Sequence, residues 1–122
     1  MKIRTGVDII EIDRIKQSIE ETDGKFCEKV YTEKEIEYCE SKKIQKYQNY
    51  AARFAAKEAV LKAISQLLES KFDIEWKEIE ILTDEDGRPY VNILKQGLNI
   101  DNIDISISHC KTYAVASVVV CI

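Results

Sequence analysis

The chain has 122 residues, 18 Lys and Arg against 22 Asp and Glu, a net charge of −4, four cysteines and one histidine. That length favours one domain, 1–122, around one modest core, and the acidic balance argues against broad nucleic-acid binding. No apolar run reaches the roughly 20 residues of a membrane helix, and the start from Met1 to Gly6 lacks a signal peptide's apolar stretch, so a cytoplasmic location is expected.

In chain order, Ile3 to Ile12 is expected as a strand, with Ile3, Val7 and Ile9 alternating on one face and Asp8 on the other. Gly6 marks a close backbone approach or a bulge. Asp13 is expected to cap a short helix whose Ile15 and Ile19 lie four apart, and Thr32 with Glu35 forms a capping-box pattern opening a second helix through about Glu40. The long helix is placed from about Asn49 to Leu68, with Phe54, Leu61, Ile64 and Leu68 as its buried stripe. Strand-like runs follow over Trp76 to Thr83, Tyr90 to Leu94, Ile103 to His109 and Tyr113 to Cys121. The cluster Asp84 to Pro89 reads as a turn, and His109 to Thr112 as the link of a hairpin. The sum is an α+β fold, with one long central helix and short helices packed on a small, mainly antiparallel sheet. β-Branched residues crowd the last strand, which suggests burial on both faces, one of them by another copy of the chain.

Cys27, Cys39, Cys110 and Cys121 show no C-x-x-C spacing, which argues against zinc and for reduced, mostly buried thiols. The residues able to carry chemistry lie elsewhere. Asp8 is disfavoured in a strand: it either bonds neighbouring backbone at a strand end or is a buried carboxylate that needs a partner or a metal. Glu58 and Lys62 are either an i,i+4 surface pair or part of a site, and Lys57, pointing into the apolar arc, either snorkels or serves that site. His109, ending Ser106-Ile107-Ser108-His109, is either a structural hydrogen-bonding group or functional. No glycine-rich phosphate loop is present, so a phosphate here must rely on Lys, Arg and metal. Two carboxylates can hold magnesium through oxygen and leave positions for phosphate and water, while lysine and arginine neutralise the remaining charge.

Gly6-Val7-Asp8-Ile9-Ile10-Glu11-Ile12-Asp13-Arg14-Ile15 resembles the opening motif of holo-acyl-carrier-protein synthases. Arg53 to Ala63, with its Lys57-Glu58 and Lys62, resembles their second motif, the K-E-x-x-x-K core of the 4′-phosphopantetheinyl transferase superfamily. The turn at Gly87-Arg88-Pro89 and the Ser106 to His109 segment are similar to two further family motifs, in the same order. The resemblance implies the family fold and magnesium-dependent transfer of the phosphopantetheine arm of coenzyme A to a serine of an acyl carrier protein, releasing adenosine 3′,5′-bisphosphate. It implies that Asp8 and Glu58 ligate Mg2+, that Lys62 contacts the phosphate under attack, and that Glu58 helps deprotonate the serine, with the identity of the base left open. Arg53, Lys57 and His109 would line the coenzyme pocket, Lys46 would meet the 3′-phosphate, and Arg14 with Lys16 would dock the acidic carrier. A homotrimer with its active sites between subunits is expected, without nucleic acid or membrane. One departure stands out. The family's Gly-Thr-Gly turn after the second motif is replaced by Ser65-Gln66-Leu67-Leu68-Glu69, so the helix is expected to continue to Leu68 or Glu69, with Ser65 among the side chains facing the coenzyme. The competing readings are a non-catalytic binding module of the same fold and an unrelated oligomerising α+β domain.

Overall fold

A computed structural model describes residues 1–122. Strand β1 (Ile3–Glu11) runs directly into helix α1 (Ile12–Glu21), and α2 (Lys25–Val30) and α3 (Glu33–Ser41) follow. The long helix α4 (Lys46–Ile64) then leads to a single 3-10 turn over Ser65–Leu67. After it come β2 (Ile79–Thr83), β3 (Pro89–Ile93), β4 (Asn102–His109) and β5 (Tyr113–Cys121). All pairings are antiparallel: β1, β5 and β4 form one sheet with β5 central, and β2 with β3 forms a separate hairpin.

Local chemistry explains most of these boundaries. Thr32 accepts from the Glu35 backbone N–H while the Glu35 carboxylate accepts from that of Thr32, which is the reciprocal capping box expected for α3. Asp84 Oδ1 accepts from the N–H groups of Asp86 and Arg88, and Gly87 takes φ +82°, so the β2–β3 connection closes as a turn. The β4–β5 link is the expected hairpin, closed by the Cys110 N–H on the Tyr113 carbonyl at 2.9 Å. Four expectations need correction. Asp13 does not cap α1: Glu11 holds that position without a side-chain bond, and Asp13 lies in the first turn. Trp76 to Glu78 forms a 3-10 turn, so β2 begins only at Ile79. Helix α2 was not anticipated, being six residues long and preceded by Gly24 with φ +85°. Helix α4 ends at Ile64, and Leu68 is extended with φ −111° and ψ 144°, so the continuation to Leu68 or Glu69 does not occur.

Of the large-residue stripe expected on α4 only Ile64 is fully buried, and most of the buried face is small. Ala51, Ala52, Ala55, Ala56, Ala59 and Ala63 are each at most 5% exposed, whereas Phe54, Leu61 and Leu68 are half-buried. Small side chains let backbones approach closely, and α4 uses this on two sides. Its C-terminal half packs with Ile79, Ile81, Ile105, Ala116, Val118 and Val120. Its N-terminal part joins a second cluster with Ile12, Ile15, Val30, Tyr31 and Cys39 of the short helices. The sheet's other face is bare: Ile3, Val7 and Ile9 are 56%, 60% and 62% exposed, and Val119 beside them 42%. One face of the last strand is therefore buried within the chain; the other is apolar and open.

Candidate active site

The site begins with a glycine. A Cβ on Gly6 would land on the carbonyl oxygen of Ala59 and lie 3.0 Å from Ala63 N. Only glycine lets β1 press this hard on α4, the close approach expected from its position mid-strand. Two residues later on the same face, Asp8 points towards α4, which carries Glu58 and Lys62 one turn apart. Lys62 Nζ donates to the Val7 carbonyl at 2.9 Å and to Asp8 Oδ1 at 3.2 Å. The Asp8 side chain is 18% exposed and that of Lys62 54%, so the ammonium can leave without stranding either group. Glu58 is half-buried. Burial, and next the negative charge of Asp8, hold its carboxyl above the ordinary glutamate range, while Lys62 and Lys71 pull the other way. Two carboxylates thus share a site in which each would gain from a cation.

Beside them lies a cleft of about 630 Å³, within the usual range for small-molecule sites. Glu58 and Leu61 of α4 line it together with Lys71, Ile74, Trp76 and Lys77 from the segment before β2, so of the two carboxylates Glu58 reaches a groove of mixed apolar and charged lining. Sequence reasoning missed this wall. Residues 70–78 carry no motif, and the one signal was Trp76 followed by Lys77, an aromatic beside a cation after a helix with no other assigned role.

The remaining predicted residues are dispersed. Lys57 does not line this cleft. It is 0% exposed, pairs with Glu35 at 2.8 Å, and donates to the carbonyls of Trp76 at 2.9 Å and Ile79 at 2.6 Å. Burial lowers the Lys57 ammonium from its ordinary value and the charge of Glu35 opposes this. Arg53 is 4% exposed, stacks 4.2 Å over Tyr38 and donates to Thr83 Oγ1 at 2.9 Å, also outside the cleft. Lys46 opens α4 beside Glu40 at 3.4 Å, about 18 Å along the axis from Glu58. His109 is exposed at the end of β4, opposite Ala114 and two strands from β1. Ser65, exposed, caps the Lys62 carbonyl through its hydroxyl at 3.0 Å. Arg14 and Lys16 are exposed on α1, Lys16 reaching over the Tyr47 ring at 5.5 Å. One chain therefore assembles Asp8, Glu58 and Lys62, and leaves Lys46, Arg53 and His109 elsewhere.

Comparison with known proteins places this geometry. The family model for the 4′-phosphopantetheinyl transferase superfamily matches residues 4–118. The holo-[acyl-carrier-protein] synthase of Ruminiclostridium cellulolyticum is 50% identical over 98% of this chain and 92% of that protein. That of Chloroherpeton thalassium is 40% identical over 97% of each. Among solved structures, the Helicobacter pylori holo-[acyl-carrier-protein] synthase in complex with coenzyme A superposes with a TM-score of 0.83 at 32% identity, covering 96% of this chain and 99% of that one. The Bacillus anthracis enzyme in complex with CoA (3′,5′-ADP) gives 0.79 at 32% identity, over 96% and 94%. The chain belongs to the 4′-phosphopantetheinyl transferase superfamily, as an enzyme of its holo-[acyl-carrier-protein] synthase type.

Proposed function

We propose that the chain, acting as one transferase domain over 1–122, moves the 4′-phosphopantetheine group from coenzyme A to a serine of an apo acyl carrier protein and releases adenosine 3′,5′-bisphosphate. The observation that carries this reading is the Asp8, Glu58 and Lys62 constellation, brought together where Gly6 lets β1 meet α4, with Glu58 also lining a ligand-sized cleft. The donor set fits magnesium: two carboxylates from different elements, Glu58 with its carboxyl raised by burial and then by the charge of Asp8, so that a cation would relieve both. Asp8 and Glu58 would hold the ion, which when bound would supply positive charge against the phosphates of the substrate.

The chain's own residues supply the rest. Lys62 is anchored at the Val7 carbonyl and can turn from Asp8 to an incoming phosphate, whose charge increases in the transition state. Glu58, the carboxylate of the site that also lines the cleft, would accept a proton from the attacking serine hydroxyl. The serine oxygen forms a bond to the phosphorus bearing the pantetheine arm, the bond to the adenosine bisphosphate oxygen breaks, and the proton passes to the base. Coenzyme A would place its pyrophosphate at the carboxylates, with Arg53, Lys46 and His109 reaching it from a neighbouring copy, since they lie apart from Asp8 within one chain. A homotrimer covering the bare face of Ile3, Val7, Ile9 and Val119 would bring the two halves together. The exposed free thiol of Cys110 suits a reducing compartment supplied with coenzyme A, the cytoplasm.

The test is mass spectrometry of an apo carrier protein incubated with the enzyme, coenzyme A and Mg2+. A phosphopantetheine adduct that forms with the native chain and is lost in Asp8→Asn and Glu58→Gln supports the assignment. No adduct from the folded native chain, or full activity in either variant at low magnesium, overturns it.

A further inference from the structure

The buried Glu35 and Lys57 pair has no place in that chemistry, yet it is the most completely bonded charge cluster in the molecule. Lys57 has three N–H donors, and all three are used: Glu35 Oε1, the Trp76 carbonyl and the Ile79 carbonyl. Glu35, also 0% exposed, accepts in addition from the N–H of Thr32 at 2.8 Å and of Ile81 at 2.9 Å. The hydroxyl of Thr32 passes on to Glu80 Oε2 at 2.7 Å. One ammonium and one carboxylate therefore tie the start of α3, the 3-10 turn at Trp76 and the strand β2 to the middle of α4.

Stability is a weak reason for such a pair, because apolar residues of similar volume often serve as well. What an apolar pair cannot do is hold two carbonyls in fixed directions. Those two carbonyls belong to Trp76 and Ile79, whose side chains line the cleft. The anchor Lys57 immediately precedes Glu58, which lines the same cleft from a different element, α4. The Trp76 ring is set from above by stacking on Phe54 at 5.3 Å. We propose that Glu35 and Lys57 are positioning residues, whose buried bonds fix the Trp76–Ile79 wall at a set distance from Glu58 and so set the width of the coenzyme groove. The coenzyme part rests on the function proposed above; the wall itself does not.

Trp76 is the chain's one tryptophan, so its fluorescence reports on the wall without any turnover. The full-length chain is compared with Lys57→Met, Glu35→Gln and the double variant Lys57→Met with Glu35→Gln, below their melting transitions. The double variant removes both buried charges and limits the loss of stability. Expected are a rise in acrylamide quenching of Trp76 of about twofold or more, and a rise of about tenfold in KM for coenzyme A, equivalent to about 1.4 kcal/mol. The KM for the carrier protein should stay unchanged. Folded variants that lose only thermal stability, with native quenching and native KM for coenzyme A, would overturn the positioning role. So would a fall in kcat alone. If Lys57→Met does not fold, Glu35→Gln and the double variant give the same readouts. Should the native chain prove inactive, the proposed function fails while quenching still decides whether the pair holds the wall.

Discussion

Replacing Gly6 by alanine should damage both the fold and the site, and the structure allows the size to be worked out. The added Cβ meets backbone only: the Ala59 carbonyl oxygen, Ala59 C at 3.0 Å and Ala63 N at 3.0 Å. No flexible side-chain end can yield, so β1 and α4 must move apart. Overpacking of this kind costs about 1–3 kcal/mol, and the lower entropy of the unfolded alanine chain does not offset it, being worth about 0.4–1 kcal/mol only where the native geometry is unstrained. With unfolding entropy of about 2.1 cal/mol/K per residue, the 122 residues give ~0.26 kcal/mol/K, so the melting temperature should fall by about 4–12 °C.

Activity should fall further than stability. Asp8 is two residues from Gly6 on the same strand face and moves with it, away from Glu58 and Lys62. A displacement of about 1 Å is worth on the order of 100-fold in rate. Thermal unfolding followed by calorimetry and transfer assayed by carrier mass, on the same sample, read the two effects separately. A variant within about 1 °C and twofold of the native protein would refute the close-approach argument.

Three other perturbations test other parts of the account. Because the raised Glu58 carboxyl binds its proton more tightly folded than unfolded, its contribution to stability falls as pH rises from the ordinary glutamate value through the raised one; melts of Glu58→Gln across about pH 4–8 should lack that slope, and an unchanged slope would reject the assignment. Val7→Glu with Ile9→Glu puts two charges on the bare sheet face and should reduce the light-scattering mass from about three chains to one, with transfer down at least about tenfold; an unchanged mass would exclude that face as the interface. Arg14→Glu should raise KM for the carrier several-fold, less so at high salt, and leave KM for coenzyme A alone, since exposed charge acts mainly on association; equal effects on both would remove Arg14 from docking.

Legibility in the sequence followed how local each signal was. The Thr32–Glu35 box, the Asp84–Pro89 turn and the last two strands depend on residues a few positions apart, and each falls where expected. The buried face of α4 was misread because its alanines carry little hydrophobic weight, although close packing prefers small residues there. Lys57 was misread for a related reason. Spacing placed it inside the apolar arc, but only tertiary structure could show that Glu35 and two carbonyls wait for it. The cleft wall had no motif at all, being assembled from a segment whose chemistry is visible only once it folds against Glu58.

The end of α4 shows how a long helix can stop without a glycine. A helix commonly stops at a left-handed glycine because that conformation satisfies its last carbonyls. Here Ile64, at φ −99° and ψ 5°, and Ser65, at φ −54° and ψ −34°, stop α4 without any positive φ. The winding tightens instead: the Leu68 N–H bonds to the Ser65 carbonyl at 3.2 Å and the Ser65 hydroxyl bonds to the Lys62 carbonyl at 3.0 Å. Gln66 is then fixed by Arg4 Nε at 2.6 Å, which ties the turn to β1. These bonds hold the end of α4 against the same strand that Gly6 brings close and that carries Asp8. The stretch of β1 that leads into Asp8 is therefore held against the end of α4 at two points, Arg4 and Gly6. That is why the expected helix extension is unnecessary: the turn keeps its place in the fold by the Ser65 and Gln66 side-chain bonds.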